Sequence, residues 1–256
     1  MDRSHGRGAE GQGGSLCRRD LSVTAYFLNM TLILTNDDGI DAPGIRALQA
    51  ALPDHTTAIV APDQPLSGCS HQLNRGGAIA IQPRAEGEYA IGGTPADCTR
   101  VGVSYLYPQV RWVISGINAG GNMGADIYVS GTVAAAREAT LLRVPGVAIS
   151  HYIKDRRPID WDVASRLARK VLAQLMEQPP SAGQFWNVNL PHLQADDPDP
   201  EIVECPVCTQ PLPTAFEVQD HQFRYTGKYG ERSRDPGADV EICFAGKIAI
   251  SKIYLW

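Results

Sequence analysis

Apolar residues follow two alternating patterns along the chain: short continuous runs, and runs in which they recur every three or four positions. The continuous runs predict buried β-strands at Thr31–Thr35, Thr57–Val60, Trp112–Ser115, Val147–Ile149 and Phe185–Leu190. The spaced runs predict helices, one starting near Pro43 and others at Ala96–Leu106, Val133–Leu142 and Trp161–Met176. This alternation favours an α/β fold with a mostly parallel sheet and helices on both faces.

The two ends of the chain depart from this alternation. Residues 1–29 include the polar stretch HGRGAEGQGGS, and we expect them to be a disordered or non-native extension that precedes a functional start at Met30. Beyond Pro191 the chain is first rich in proline and acidic residues and then becomes strand-like, without helices. The sequence therefore predicts an α/β domain over 30–191 and a β-rich C-terminal extension over 192–256 that ends in a final strand.

Composition excludes several classes of protein. The formal net charge of the 256 residues is −5, which argues against a general nucleic-acid binder because such proteins carry a basic face. No apolar run is long enough for a membrane-spanning helix. Of six cysteines only Cys205 and Cys208 form a CxxC pair, and no second pair completes a zinc site. Scattered free thiols are typical of a reducing compartment, so we expect a cytoplasmic protein without nucleic-acid or membrane partners.

Two adjacent carboxylates, Asp37 and Asp38, follow the first predicted strand. The carboxyl edge of a parallel sheet is where ligands bind, and neighbouring carboxylates there repel unless a cation lies between them. Together with the Ser67 hydroxyl and the Asn118 side-chain carbonyl they would form an all-oxygen set suited to one Mg²⁺ or Mn²⁺ ion. The alternative is that one aspartate caps the following helix and the other is solvated.

A glycine-rich loop, GINAGGNMGADIYVSGT, occupies residues 116–132 just before a predicted helix. Glycines let the backbone approach a ligand closely, and the amides at a helix N-terminus attract an anion. We therefore predict that Asn122, Ser130 and Thr132 bind phosphate. The alternative is a flexible loop in which Ser130 or Thr132 only caps the helix; dinucleotide and P-loop patterns are absent.

Five motifs together resemble the SurE family, the survival protein E nucleotidases. In chain order they are ILTNDDGIDAPGI, VAPDQPLSGCSH, GGTPADCTRVGV, VISGINAGGNMGADIYVSGTVAAAREA and VPGVAIS, within residues 30–150. The resemblance implies a Rossmann-like three-layer sandwich. It also implies that Asp37, Asp38, Ser67 and Asn118 bind the metal, and that subunits form a homodimer or homotetramer by exchanging C-terminal arms.

The resemblance further implies a phosphomonoesterase that hydrolyses nucleoside 5′-monophosphates and, in some members, 3′-monophosphates and short polyphosphate. A bound cation would neutralise charge on the phosphate and activate a water. Asp37 or Asp38 could instead attack as a nucleophile; we rank attack by water higher, because a carboxylate that binds a metal is a poorer nucleophile.

Three further residues are assigned to the wall around the nucleoside. Thr94 and Pro95 begin the GGTPADC helix, and their part in the wall is a guess from the family. His71 could donate a proton to the leaving group, although a loop histidine is often a bystander. The competing hypothesis for the whole chain is a non-catalytic Rossmann-type ligand-binding module, in which the paired aspartates are structural.

Overall fold

A computed structural model describes residues 31–256. Residues 1–30 lie outside it, and with them the prediction for the extension over 1–29. The strands of the described part are β1 (Leu32–Thr35), β2 (Thr57–Pro62), β3 (Ile81–Ala85), β4 (Glu88–Ile91), β5 (Trp112–Ala119), β6 (Gly146–His151), β7 (Gln184–Leu190), β8 (Ile202–Glu204), β9 (Phe216–Gln219), β10 (Gln222–Tyr225) and β11 (Ile248–Tyr254). Its helices are α1 (Pro43–Ala50), α2 (Pro95–Val101), α3 (Gly131–Leu141), α4 (Trp161–Glu177) and α5 (Asp239–Phe244).

Nine strands of the described chain form one sheet in the order β3-β4-β2-β1-β5-β6-β7-β11-β8. The strands from β4 to β7 run parallel to one another, whereas β3 is antiparallel to β4 and β11 is antiparallel to β7. Because parallel strands require crossover connections, the intervening helices cover the sheet. The predicted α/β fold with a mostly parallel sheet is confirmed.

Helices pack on both faces of this sheet, as the pattern of β1 shows. Leu32 and Leu34 point into a core that includes residues of α1 and α4, whereas Ile33 points into a second core with Cys98 of α2 and Ala139 of α3. Alternate residues of a strand face opposite sides, so a strand that is buried on both sides must be apolar throughout. The continuous apolar run of β1 is explained by this three-layer arrangement.

Two expectations about secondary structure are wrong in detail, and two strands were not predicted. The helix predicted over Ala96–Leu106 is α-helical only to Val101 and continues as a π-helical turn over Gly102–Leu106. The strand predicted to end at Ser115 runs on to Ala119 past a register shift, so Asn118 lies on β5 itself. Strands β3 and β4 had no prediction, because β3 is exposed along its whole length and carries no apolar run.

The C-terminal part of the chain is also not free of helices. Helix α5 covers only Asp239–Phe244, which is too short to show a helical repeat, yet it buries Val240 and Cys243. Strand β11 then enters the main sheet between β7 and β8, while β9 and β10 form a separate, exposed hairpin. The division into a domain over 30–191 and an extension over 192–256 stays a prediction. Within the described residues, no helix has the length and apolar character to cross a bilayer.

Candidate functional site

The paired aspartates lie at the carboxyl end of β1, where the chain turns into α1. Asp37 is buried and Asp38 is half-buried. The Asn36 amide donates to the Gly39 carbonyl at 2.8 Å and holds this turn. Helix α1 begins after Ala42 without a side-chain cap, so neither aspartate caps it. The helix-cap alternative for this pair is therefore wrong.

Each aspartate accepts a hydrogen bond from the glycine-rich segment on β5 and α3. The Thr132 hydroxyl donates to Asp37 Oδ1, and the Ala119 amide donates to Asp38 Oδ2 at 3.1 Å. Loss of solvent on burial, reinforced by the neighbouring Asp38 charge, raises the pKa of Asp37 to about 6. Burial also raises the pKa of Asp38. Within residues 31–256, no ion pair joins either carboxylate to a Lys, Arg or His.

Ser67 and Asn118 lie beside this pair. Leu66, one residue before Ser67, donates its amide to the Asp37 carbonyl at 2.8 Å, and Asn118 directly precedes the Ala119 amide that binds Asp38. The Asn118 amide nitrogen is bound to the Gly120 carbonyl at 2.7 Å, which leaves the side-chain oxygen available. Ser67 and Asn118 are thus each next in sequence to a residue that is hydrogen-bonded to one of the aspartates, which brings all four predicted ligand residues together.

The chemistry of these donors fits a hard divalent cation. Two carboxylates, a hydroxyl and an amide oxygen are the ligand types of Mg²⁺ and Mn²⁺. Within residues 31–256, no three His, Cys, Asp or Glu residues are placed together to hold a metal. The proposed set contains only two such residues, Asp37 and Asp38, because its other two ligands are a hydroxyl and an amide. Burial raises the pKa of both carboxyl groups, and the charge of Asp38 raises that of Asp37 further, so a cation would favour the charged forms of both.

Gly131 permits the close packing of this site. A Cβ atom at position 131 would lie 2.9 Å from Asp37 Cβ and 2.9 Å from Cys69 Sγ, which is closer than real side chains approach. Only glycine therefore lets the start of α3 contact the aspartate loop. The glycine-rich composition of the loop indicated close approach to a ligand, but the structure shows that at this position the approach is to Asp37.

The side chains predicted to bind phosphate already have protein partners. Ser130 is the N-cap of α3 and accepts from the Val133 amide at 3.1 Å. Thr132 donates to Asp37. The Asn122 amide donates to the Ser150 hydroxyl at 2.7 Å. Of the first three amides of α3, that of Val133 is engaged by Ser130 and that of Thr132 by Asp37, so within residues 31–256 only the Gly131 amide is left for an anion. The phosphate-binding assignment of these three residues stays a prediction.

The residues predicted for the nucleoside wall are also held in place. Thr94 caps α2 in a reciprocal capping box with Asp97, and Pro95 is the first residue of that helix. His71 contacts buried Glu138, with 2.8 Å between Nε2 and Oε2, and Glu138 also accepts from Arg100. Their part in a nucleoside wall stays a prediction.

Sequence reasoning missed a buried ionic cluster that holds the glycine-rich loop from its other side. Asp126 accepts from Arg232 at 2.8 Å and from the Tyr229 hydroxyl at 2.6 Å. Burial opposes the charge of Arg232, but Asp126 and Tyr229 together outweigh it and raise the pKa of the guanidinium. Arg232 is only 2% exposed, so this pair is shielded from water. These residues are over 100 positions apart, and no local pattern indicates their contact.

His151, at the end of β6, is also completely buried, and neither ring nitrogen has a hydrogen-bond partner in the described part of the chain. Its ring packs edge-on against His192, with 5.5 Å between centroids. Burial and the nearby His192 lower the pKa of His151 to about 4. Histidine at this position is therefore neutral at physiological pH.

Comparison with known proteins shows which family and which solved structure this chain is similar to. The family model described as Survival protein SurE matches residues 32–212. A putative 5′-nucleotidase of Nostoc sp. is 50% identical over 224 residues, which cover 88% of this chain and 99% of the relative. A protein of Pelobacter propionicus named 5′-nucleotidase SurE is 40% identical over 179 residues, or 68% of this chain and 71% of the relative. The crystal structure of the SurE protein from Aquifex aeolicus superposes with a TM-score of 0.78 at 26% identity, covering 88% of this chain and 94% of that one.

Proposed function

Because the chain belongs to the SurE family, whose curated relatives are named 5′-nucleotidases, we propose that it is a metal-dependent phosphomonoesterase acting on nucleoside 5′-monophosphates. The products are a nucleoside and inorganic phosphate. Nucleoside 3′-monophosphates and short polyphosphates are further candidate substrates. We also propose that the protein forms a homodimer or homotetramer, with one Mg²⁺ or Mn²⁺ ion per subunit. The free cysteines of the described chain favour a reducing compartment, so we place the protein in the cytoplasm.

The observation that carries this proposal is the uncompensated carboxylate pair at the carboxyl edge of the sheet. Asp37 and Asp38 are withdrawn from water, have raised pKa values and form no ion pair with a basic side chain of residues 31–256. Asp37, Asp38, Ser67 and Asn118 would hold the cation. When bound, the cation supplies charge neutralisation for the phosphoryl group and activation of a water.

Protein groups around the pair would orient the substrate. The Thr132 hydroxyl keeps Asp37 in one orientation, and the Ala119 amide does the same for Asp38. The Gly131 amide at the start of α3 would favour a phosphate next to it, because a helix N-terminus carries partial positive charge. In this arrangement Asp37 and Asp38 act as ligands, and a water attacks the phosphorus in preference to a carboxylate.

The experiment is release of inorganic phosphate from a panel of nucleoside 5′- and 3′-monophosphates, with Mg²⁺, Mn²⁺ or chelator. We expect activity with metal and none with chelator. Asp38→Asn should lose at least about a hundredfold in kcat, since it removes a charge from the site.

Asp41→Asn is the matched control, because Asp41 lies on the same loop but is exposed and pairs with Arg84. It should keep full activity. Undiminished turnover in chelator would refute the metal dependence. Ligand binding without turnover by the unmodified protein would instead favour the non-catalytic binding module.

A further inference from the structure

Tyr128 is an exposed aromatic residue next to the candidate site. It ends the short 3₁₀-helical turn Gly124–Tyr128, and its neighbour Ile127 is buried while Tyr128 itself is 70% exposed. Burying the ring would gain free energy, so an aromatic side chain left in solvent here is available for contact with another molecule.

The backbone that carries this ring is fixed by the two loops that form the site. The Ser70 hydroxyl donates to the Tyr128 carbonyl at 2.8 Å, and the Ser70 amide donates to the Val129 carbonyl at 3.0 Å. On the inner side, Arg137 donates to the Ile127 carbonyl at 2.8 Å. A ring on such a braced segment can be held ready for a ligand at little cost in entropy.

Tyr128 is also within reach of the aspartate pair. Gly131 contacts Asp37, and it follows Tyr128 by three residues. Since successive Cα atoms are about 3.8 Å apart, the Cα atoms of Tyr128 and Gly131 are separated by no more than about 11 Å. A nucleoside monophosphate whose phosphate lies at the start of α3 is long enough to bring its base to the ring.

We propose that Tyr128 binds the nucleobase by stacking and so selects nucleotides over phosphomonoesters without a base. This inference rests on the nucleotidase function proposed above. Every base has a π face, so stacking on tyrosine accepts all of them and discriminates against a bare sugar phosphate. Tyr128 thereby determines which phosphomonoesters bind well, whereas the metal ligands determine which reaction takes place.

Three other tyrosines of the described chain are exposed: Tyr225 packs against Phe216 in the β9–β10 hairpin, and the other two lie at the wrong edge of the sheet. Helix α2 starts at the carboxyl edge of the sheet and runs away from it, so Tyr105, in the π-helical turn after α2, lies towards the opposite edge. Tyr254 pairs with Gln184 at the start of β7, which is also the opposite edge. Tyr105 is 72% exposed and is therefore a matched control for Tyr128.

The test compares AMP with ribose 5-phosphate, which has the same phosphoribosyl group without a base. For Tyr128→Ala we expect KM for AMP to rise about tenfold, the effect of losing one stacked base, with KM for ribose 5-phosphate unchanged. Tyr128→Phe should behave as the unmodified protein because it keeps the ring. Tyr105→Ala should change neither substrate.

Several outcomes would overturn the inference: an equal change for both substrates, no change for AMP, or an altered oligomeric state of Tyr128→Ala in size-exclusion chromatography. Equilibrium dialysis of AMP and ribose 5-phosphate separates this inference from the proposed function. An unmodified protein that prefers AMP in binding but releases no phosphate would refute the nucleotidase and keep the stacking. Equal binding of AMP by the unmodified protein and Tyr128→Ala would refute the stacking, whatever the turnover.

Discussion

Asp126 lies within the glycine-rich loop and the pair Asp37 and Asp38 packs against that loop, and the two sites differ in how their negative charge is balanced. Asp126 has the guanidinium of Arg232 at 2.8 Å and the Tyr229 hydroxyl at 2.6 Å. Asp37 and Asp38 have a hydroxyl and a backbone amide, and no basic side chain of residues 31–256 pairs with them. The first cluster has its counter-charge within the described residues, whereas the second has none there, and this is why we propose that a cation binds it.

This difference separates a structural charge from a functional one. A buried carboxylate with its own counterion stabilises one arrangement of the chain. A buried carboxylate without one is costly to the fold and is typical of a site that binds or reacts. Removal of charge should therefore have opposite consequences for stability in the two clusters.

The largest expected effect is at the balanced cluster. Arg232→Met should lower the free energy of unfolding by about 3–5 kcal/mol, because it leaves the Asp126 charge buried and unpaired. Urea denaturation measures the change. Asp126→Asn combined with Arg232→Met should recover part of the loss, since no charge then remains.

Lys228→Ala is the matched control for Arg232→Met. Lys228 pairs with Glu231 in the same segment, but both side chains are more than 70% exposed. An exposed pair is screened by water, so this variant should unfold at nearly the same urea concentration as the unmodified protein. An equal loss in both variants would show that burial of Arg232 does not matter.

A smaller effect is expected where the unbalanced pair is packed against α3. Gly131→Ala places a Cβ 2.9 Å from Asp37 Cβ and from Cys69 Sγ, and we expect a loss of about 1–3 kcal/mol together with reduced kcat. Gly76→Ala is the control, because nothing lies within 4 Å of a Cβ there. If the two alanine variants have the same stability and kcat, the close approach of α3 to Asp37 is not required.

An effect of the opposite sign is expected at Asp37 itself. The pKa of Asp37 is raised to about 6, so in chelator its contribution to stability is full below pH 4 and is lost as pH rises through 6. Asp37→Asn should remove this loss and be more stable than the unmodified protein at pH 7 by about 3 kcal/mol, while losing activity. Thermal unfolding in chelator from pH 4 to pH 7 measures the difference. A parallel pH profile of the two proteins would contradict it.

Prediction from the sequence succeeded where the physical signal is local. The apolar run of β1 and the stripe of Val163, Leu167, Val171 and Leu175 on α4 each reflect burial of a continuous face, and both elements are present. Exposed β3 and the six-residue helix α5 lack such a face and were missed. The adjacency of Asp37 and Asp38 was visible in the sequence, but the absence of a basic partner for them within residues 31–256 was not.

The sequence by itself determined the alternation of strands and helices, the order of the loops at the carboxyl edge of the sheet and the residue types that suit a divalent cation. Only the tertiary structure decided which side chains are already engaged: Thr132 by Asp37, Asn122 by Ser150 and Asp126 by Arg232. The reason is physical, because periodicity records the burial of a residue's own face, whereas a hydrogen bond or ion pair between distant segments depends on how the layers pack.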